Sequence, residues 1–139
     1  MIKIKYDMNL MKYISLFESI TRTNVDDAFQ QDEIVYFIVK EGMAGKAIGK
    51  KGINYKKIEG ILKKKVRIIE NSKDLSKFIE NIIYPLKLAN IEIEPTIIKL
   101  TAVDTKTRGI LIGRGGINLR STETIVKRYF NDLVEIKVI

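Results

Sequence analysis

The chain has no cysteine, no histidine and no tryptophan, and only two prolines in 139 residues. Without cysteine there are no disulfides and no thiolate chemistry. Without histidine the commonest general base and metal ligand is missing. No long apolar run is present, and the opening residues MIKIKYD lack the hydrophobic stretch of a secretion signal. These absences describe a soluble intracellular protein and argue against an enzyme. No Walker pattern accompanies the glycines, because Ala44 stands five residues before Gly49 and neither Ser nor Thr follows Lys50. Apolar residues make up 45% of the chain, ample for a packed core and too many for wholesale disorder.

What the chain does have, it has twice. Ala47-Ile48-Gly49-Lys50-Lys51-Gly52-Ile53-Asn54 and Leu111-Ile112-Gly113-Arg114-Gly115-Gly116-Ile117-Asn118 share one pattern, 64 residues apart. Glycine at each end of a four-residue loop lets a phosphodiester backbone approach the main chain with no Cβ in the way. A helical pattern follows each loop, and a helix start offers unpaired N–H groups and positive dipole to an anion. The charge is placed to match. Residues 44–67 hold nine Lys or Arg against one acid, Glu59, and residues 106–128 hold six against Glu123. The remainder carries ten basic and fifteen acidic residues, a net charge of −5. One basic window would read equally well as a solvated lysine face. Two, on the same repeated motif, favour a polyanion footprint.

Periodicity gives a repeated element order. Residues 2–6 alternate as a short strand or lead-in, with Asp7 and Asn9 as candidate N-caps. Leu10, Tyr13, Ile14, Phe17 and Ile20 mark an amphipathic helix. A weak strand over 25–30, a turn at Gln31-Asp32 and a strong strand over 34–39 follow. Residues 43–48 suggest a short helix. The helix after the first loop has Ile53, Ile58, Ile61 and Leu62 on its apolar face and Lys56, Lys57, Lys63 and Lys64 opposite. Residues 66–70 read as a strand.

The boundary, Asn71-Ser72-Lys73-Asp74, is too short for a free linker, so two modules are expected in fixed relation, 1–71 and 72–139. The second module reads as a helix from Leu75 ended by Pro85, strands over 88–94 and 97–103, a lead-in over 105–112, a helix carrying Ile117, Ile125, Val126, Tyr129 and Phe130, and a strand over 133–139. Each half is therefore helix, strand, strand, helix, glycine loop, helix, strand.

Ile48-Gly49-Lys50-Lys51-Gly52 and Ile112-Gly113-Arg114-Gly115-Gly116 resemble the GXXG loop of KH domains, which clamps the backbone of about four single-stranded nucleotides. The order ending on a strand is similar to the type II form of that family. This implies an α+β fold of two tandem KH domains, each a three-stranded mixed sheet covered on one face by helices. The pair resembles that of the NusA transcription termination and antitermination factors. Residues Glu41 to Gly52, Leu16-Phe17-Glu18-Ser19-Ile20-Thr21 and Lys127-Arg128-Tyr129-Phe130 are similar to the archaeal form. The sequence shows neither the N-terminal polymerase-binding region nor the S1-type domain of bacterial NusA, so that factor's action on polymerase is not carried over.

The resemblance implies a cytoplasmic protein without cofactor, metal or small-molecule substrate. Its partners would be single-stranded RNA and, further, RNA polymerase or the elongation complex. Main-chain N–H groups of Gly49 to Gly52 and Gly113 to Gly116 would meet phosphate or sugar oxygens, with Lys50, Lys51 and Arg114 adding charge at the tips. Lys46, Lys56, Lys57 and Arg120 come next, against the alternative that they are ordinary solvated helix residues. Ile48, Ile53, Ile112 and Ile117 either line a groove for bases or pack the helix pair. Asn54 and Asn118 would satisfy the helix starts, and Tyr36 and Phe37 could stack on bases, with core packing the favoured expectation. Gly115 should make the second loop the looser and weaker clamp. The competing readings are an RNA-binding protein of ribosome assembly or translation, a nucleotide-binding module and a protein-interaction module.

Overall fold

The computed structural model describes residues 8–133 and 135–139. The strand expected over 2–6 and the cap expected at Asp7 lie outside the described residues. The chain divides into two compact units between Ser72 and Lys73.

In the first unit, α1 (Met8–Thr21) precedes β1 (Val25–Gln31) and β2 (Ile34–Val39). Then come α2 (Ala44–Ile48), a 3-10 turn over Lys50–Gly52, α3 (Ile53–Leu62) and β3 (Lys65–Glu70). Asn9, expected as a cap, lies inside α1. β1 and β2 run antiparallel, with Gln31 opposite Ile34. The turn is therefore Asp32-Glu33, one residue later than expected. Both residues have positive φ, 50° and 66°, the geometry that matches the right-handed twist of a two-residue hairpin. β3 pairs with β2 in parallel, from Ile34 opposite Lys65 to Val39 opposite Glu70. Parallel neighbours need a crossover, and that crossover is the α2–loop–α3 segment, which fixes where the first glycine loop sits.

Alternation along β2 sends Val35, Phe37 and Val39 into a core with Leu10, Phe17, Ala28, Ala47, Ile58 and Val66. Phe17 stacks on Phe37 with ring centroids 4.2 Å apart, and each such fully buried ring contributes roughly 1.5–3 kcal/mol. Tyr36 is buried too and stacks on Phe29 at 5.0 Å. Both aromatic residues of β2 are core, as the sequence suggested.

The second unit repeats the order: α4 (Leu75–Ile83), β4 (Leu88–Ile93), β5 (Ile97–Ala102), α5 (Thr105–Ile112), a 3-10 turn over Arg114–Gly116, α6 (Ile117–Lys127) and β6 (Glu135–Val138). β4 is antiparallel and β6 parallel to the central β5. Asp74 caps α4 by accepting from the Ser76 N–H, and the helix buries Phe78, Ile79, Ile82 and Ile83. Tyr129 meets Phe78 edge-on at 5.4 Å. Both units are thus three-stranded mixed sheets packed with helices, the α+β architecture of two KH-like domains. Among the described residues, no helix is long and apolar enough to cross a membrane.

Candidate nucleic-acid interface

Each loop is a sharp reversal between two helices, and its backbone is the same in both units. Gly49 ends α2 at φ 79°, ψ 165°, and Gly113 ends α5 at φ 73°, ψ 172°, a region open essentially to glycine alone. Their N–H groups close the preceding helices on Gly45 O at 3.0 Å and Gly109 O at 2.9 Å. The next positive-φ pair is Lys51 and Gly52 in the first loop, and Gly115 and Gly116 in the second. Lys51 (φ 54°, ψ 25°) and Gly115 (φ 65°, ψ 18°) hold the same left-handed conformation. Gly115 therefore leaves the path of the second loop unchanged; what differs is the missing side chain.

Two bonds hold each loop closed: Gly52 N–H to Gly49 O and Ile53 N–H to Lys50 O, matched by Gly116 to Gly113 and Ile117 to Arg114. The N–H groups of Gly49 and Gly52 are engaged inside the fold. Lys50 and Lys51, with Arg114 and Gly115, supply the N–H groups these bonds leave over.

The asparagines do something the sequence did not suggest. Gly52 and Gly116 occupy the capping positions, in left-handed conformation and with no side-chain bond. Asn54 and Asn118 lie inside the helices and reach back across the loops. Asn54 Nδ2 donates to Lys46 O at 3.2 Å and Asn118 Nδ2 to Ile110 O at 2.8 Å. These amides fill the space beside the first glycine. A Cβ on Gly49 would lie 2.9 Å from Asn54 Nδ2 and 3.0 Å from Ile53 Cγ2. A Cβ on Gly113 would lie 2.7 Å from Asn118 Cγ. The first glycine of each loop is thus required by its φ and by its neighbour.

The lone acid of each basic window is also committed. Glu59 Oε2 accepts from Val66 N–H at 2.9 Å, and Glu123 Oε2 from Ile136 N–H at 2.8 Å. Each ties the loop helix to the strand that follows. Partial burial pushes the Tyr55 hydroxyl above its usual range, with the Glu59 charge adding and Arg67 opposing, so Tyr55 stays neutral.

Lys46, Lys50, Lys51, Lys56, Lys57, Arg114 and Arg120 are exposed, while Ile48 and Ile112 are half-buried. Ile53 and Ile117 are 63% and 53% exposed. Packing of the helix pair therefore does not account for them, and the expected apolar face of α3 is corrected in part: Ile58 is buried and Leu62 packs against the core, but Ile53 faces out and Ile61 is 50% exposed. Ile110, not singled out from the sequence, is 44% exposed beside the second loop. Ion pairs at Lys77–Glu80, Lys99–Glu94 and Lys137–Glu135 lie away from the two loops. Within each unit the fold gathers bare backbone, uncapped helix start, tip cations and an exposed isoleucine at one helix reversal.

No family model matches the chain. It is 37% identical over 142 residues to a protein of Methanocaldococcus jannaschii named probable transcription termination protein NusA, covering all of this chain and 77% of that one. A protein of the same name from Methanococcus vannielii is 36% identical over 129 residues, covering 91% and 75% of the two chains. Among solved structures, the crystal structure of APE1850 superposes with a TM-score of 0.79 at 25% identity, covering 96% of this chain and 100% of that one.

Proposed function

The chain belongs to the archaeal NusA family of transcription termination proteins, and from that membership we propose that it binds single-stranded RNA through both glycine loops as a factor of transcription termination or antitermination. The observation that carries this reading is the loop backbone repeated with a cation at an exposed tip in each unit. A phosphate would settle against the loop where no Cβ intervenes, facing the N–H groups of Lys50 and Lys51, or of Arg114 and Gly115. The uncapped starts of α3 and α6 add favourable dipole. Lys50, Lys51 and Arg114 supply charge, with Lys46, Lys56, Lys57 and Arg120 around them. Phosphate contacts position a strand without reading it, so bases would meet the aliphatic surface of Ile53 and Ile117, with Ile48 and Ile112 behind. The factor acts in the cytoplasm by binding; no reaction, cofactor or metal is assigned to it. RNA polymerase or the elongation complex is the proposed protein partner.

The test reverses charge at the first tip. Lys50→Asp with Lys51→Asp should weaken single-stranded RNA binding more than about tenfold at low salt without lowering the melting temperature, since both side chains are exposed and aspartate tolerates the left-handed backbone of Lys51 at least as well. Unchanged affinity in the double variant would remove the first loop from the site. Crosslinking in cells, with sequencing of the bound fragments, should return nascent transcripts. A population of ribosomal RNA would move the protein to ribosome assembly.

A further inference from the structure

The two loops share a backbone with its glycines, isoleucines and asparagine, and differ in the outward-pointing side chains around it. At the 64-residue offset, Lys46, Lys50, Lys51, Lys56 and Lys57 correspond to Ile110, Arg114, Gly115, Arg120 and Ser121. At these five positions five cations become two, while Lys106 and Arg108 on α5 stand where the first unit has Gly42 and Ala44, so the second loop keeps cations on the helix before the tip and has fewer at the tip and on the helix after it. The apolar surface changes in the opposite sense. The first loop has one markedly exposed isoleucine beside it, Ile53, because Lys46 stands in the place of Ile110. The second has two, Ile110 at 44% and Ile117 at 53% exposure. Asn118 follows Ile117 and holds the Ile110 carbonyl at 2.8 Å, so a single amide fixes the backbone from which both side chains project.

The cations differ in kind as well. The Arg120 guanidinium lies against the second loop: a Cβ at Gly116 would be 3.7 Å from its Nη1 and 3.9 Å from its Cζ. At Gly52 a Cβ would meet nothing within 4 Å. A planar, weakly hydrated cation over the bare backbone of Gly116, on a loop with two exposed isoleucines, suits the flat face of a base. A cluster of lysine ammonium groups suits phosphate, whatever base it carries.

Resting on the RNA-binding reading above, we propose that the two loops divide the work. The first is a phosphate anchor that sets salt-dependent affinity. The second is a base-contacting site, built on Ile110, Ile117 and Arg120, that sets base preference. The two contributions separate by salt, because neutralised phosphates release counterions and stacked or packed bases do not.

The experiment exchanges one residue between the loops of the full chain. Binding of uridine, adenosine and cytidine homopolymers is measured by fluorescence anisotropy across a salt series. The wild type should distinguish the three. Ile110→Lys should cut the ratio between best and worst homopolymer by about threefold or more and steepen the log–log salt slope by roughly 0.7. Ile110→Ser should cut the ratio and leave the slope in place. Lys46→Ile should make the slope shallower by roughly 0.7 and leave the ratio intact. Both positions substituted are exposed, so these three variants should fold. Equal wild-type affinity for the three homopolymers would overturn the division of labour, as would a ratio that responds to Lys46→Ile and not to the Ile110 variants. Failure of the wild type to bind any of them would overturn the RNA-binding reading itself, and this inference with it.

Discussion

Lys51 holds a conformation its side chain does not favour, and the second unit provides the natural control. At φ 54°, ψ 25° it is left-handed, which costs a non-glycine residue roughly 1–2 kcal/mol. Gly115 takes the same conformation without that cost. Replacing Lys51 by glycine removes the strain but adds about 0.5–1 kcal/mol of unfolded-chain entropy. The net expectation for Lys51→Gly is a stabilisation of about 0.5–1 kcal/mol, or about 2–8 °C in Tm for units of this size. Gly115→Lys should do the reverse, with no clash added, because a Cβ at Gly115 meets no atom within 4 Å. RNA affinity should move against stability: Lys51→Gly binds more weakly with a salt slope shallower by roughly 0.7, and Gly115→Lys more tightly with a steeper one. Thermal denaturation and anisotropy on the same samples make the comparison. A Lys51→Gly protein that melts below the wild type, or a Gly115→Lys protein that melts unchanged, would refute the claim that Lys51 is strained. Opposed shifts in stability and affinity are what a strained residue kept for its side chain should give.

Other expectations follow from the same geometry. Asn118→Ala removes the 2.8 Å bond across the second loop and should cost about 1 kcal/mol in urea denaturation, with an additional loss of RNA affinity as the loop loosens; retained affinity would mean that the reversal holds its shape without the amide. Glu59→Ala deletes the acceptor for Val66 N–H and should cost about 1.5–3 kcal/mol, whereas Glu59→Gln, which keeps an acceptor oxygen, should cost less. The Asp104 carboxyl is held below its usual range because it accepts from Thr107 N–H at the start of α5. Its folded pKa is depressed, so its contribution is present above the unfolded carboxylate value near 4 and is lost as pH falls through the folded value. The Tm difference between wild type and Asp104→Ala should accordingly shrink on acidification below pH ~4, and a difference that grows instead would reverse the sign.

How much of this was legible beforehand varied with the physics each residue answers to. The β-branched and aromatic run over 34–39 gave β2 its observed bounds, because a central strand depends on local propensity and burial together. The helical period of Leu75, Phe78, Ile79, Ile82 and Ile83 likewise gave α4, whose apolar stripe is continuous. The α3 face was misjudged. Ile53 stands five residues before Ile58, and five steps of a helix leave a side chain about 140° away from the buried direction. The asparagines were misjudged for a different reason: residue type suggested a local cap, but Gly52 and Gly116 take that position. The clue was their recurrence five residues after the first glycine, and its meaning needed the distance across the loop. The pairing of Glu59 and Glu123 with the following strands was equally hidden, since a charge in a basic window reads from sequence only as charge.

Those two acids bear on why the basic windows stay basic at their tips. A carboxylate beside Lys50 or Arg114 would compete with phosphate for the same cations. Glu59 is six residues into α3 from Ile53, about 9 Å along the axis at the usual helical rise, close to the Debye length of about 8–10 Å at physiological salt. Its bond to Val66 N–H holds it at the strand end of the helix, and Glu123 is held in the same way by Ile136 N–H. The scaffold therefore uses the negative charge that packing helix against strand requires at the end of the helix where it least weakens the field at the loop. The roles repeated without change are the glycine, the asparagine and the glutamate, and each acts on backbone; the residues free to differ are those that point outward, which is where the two loops can acquire different tasks.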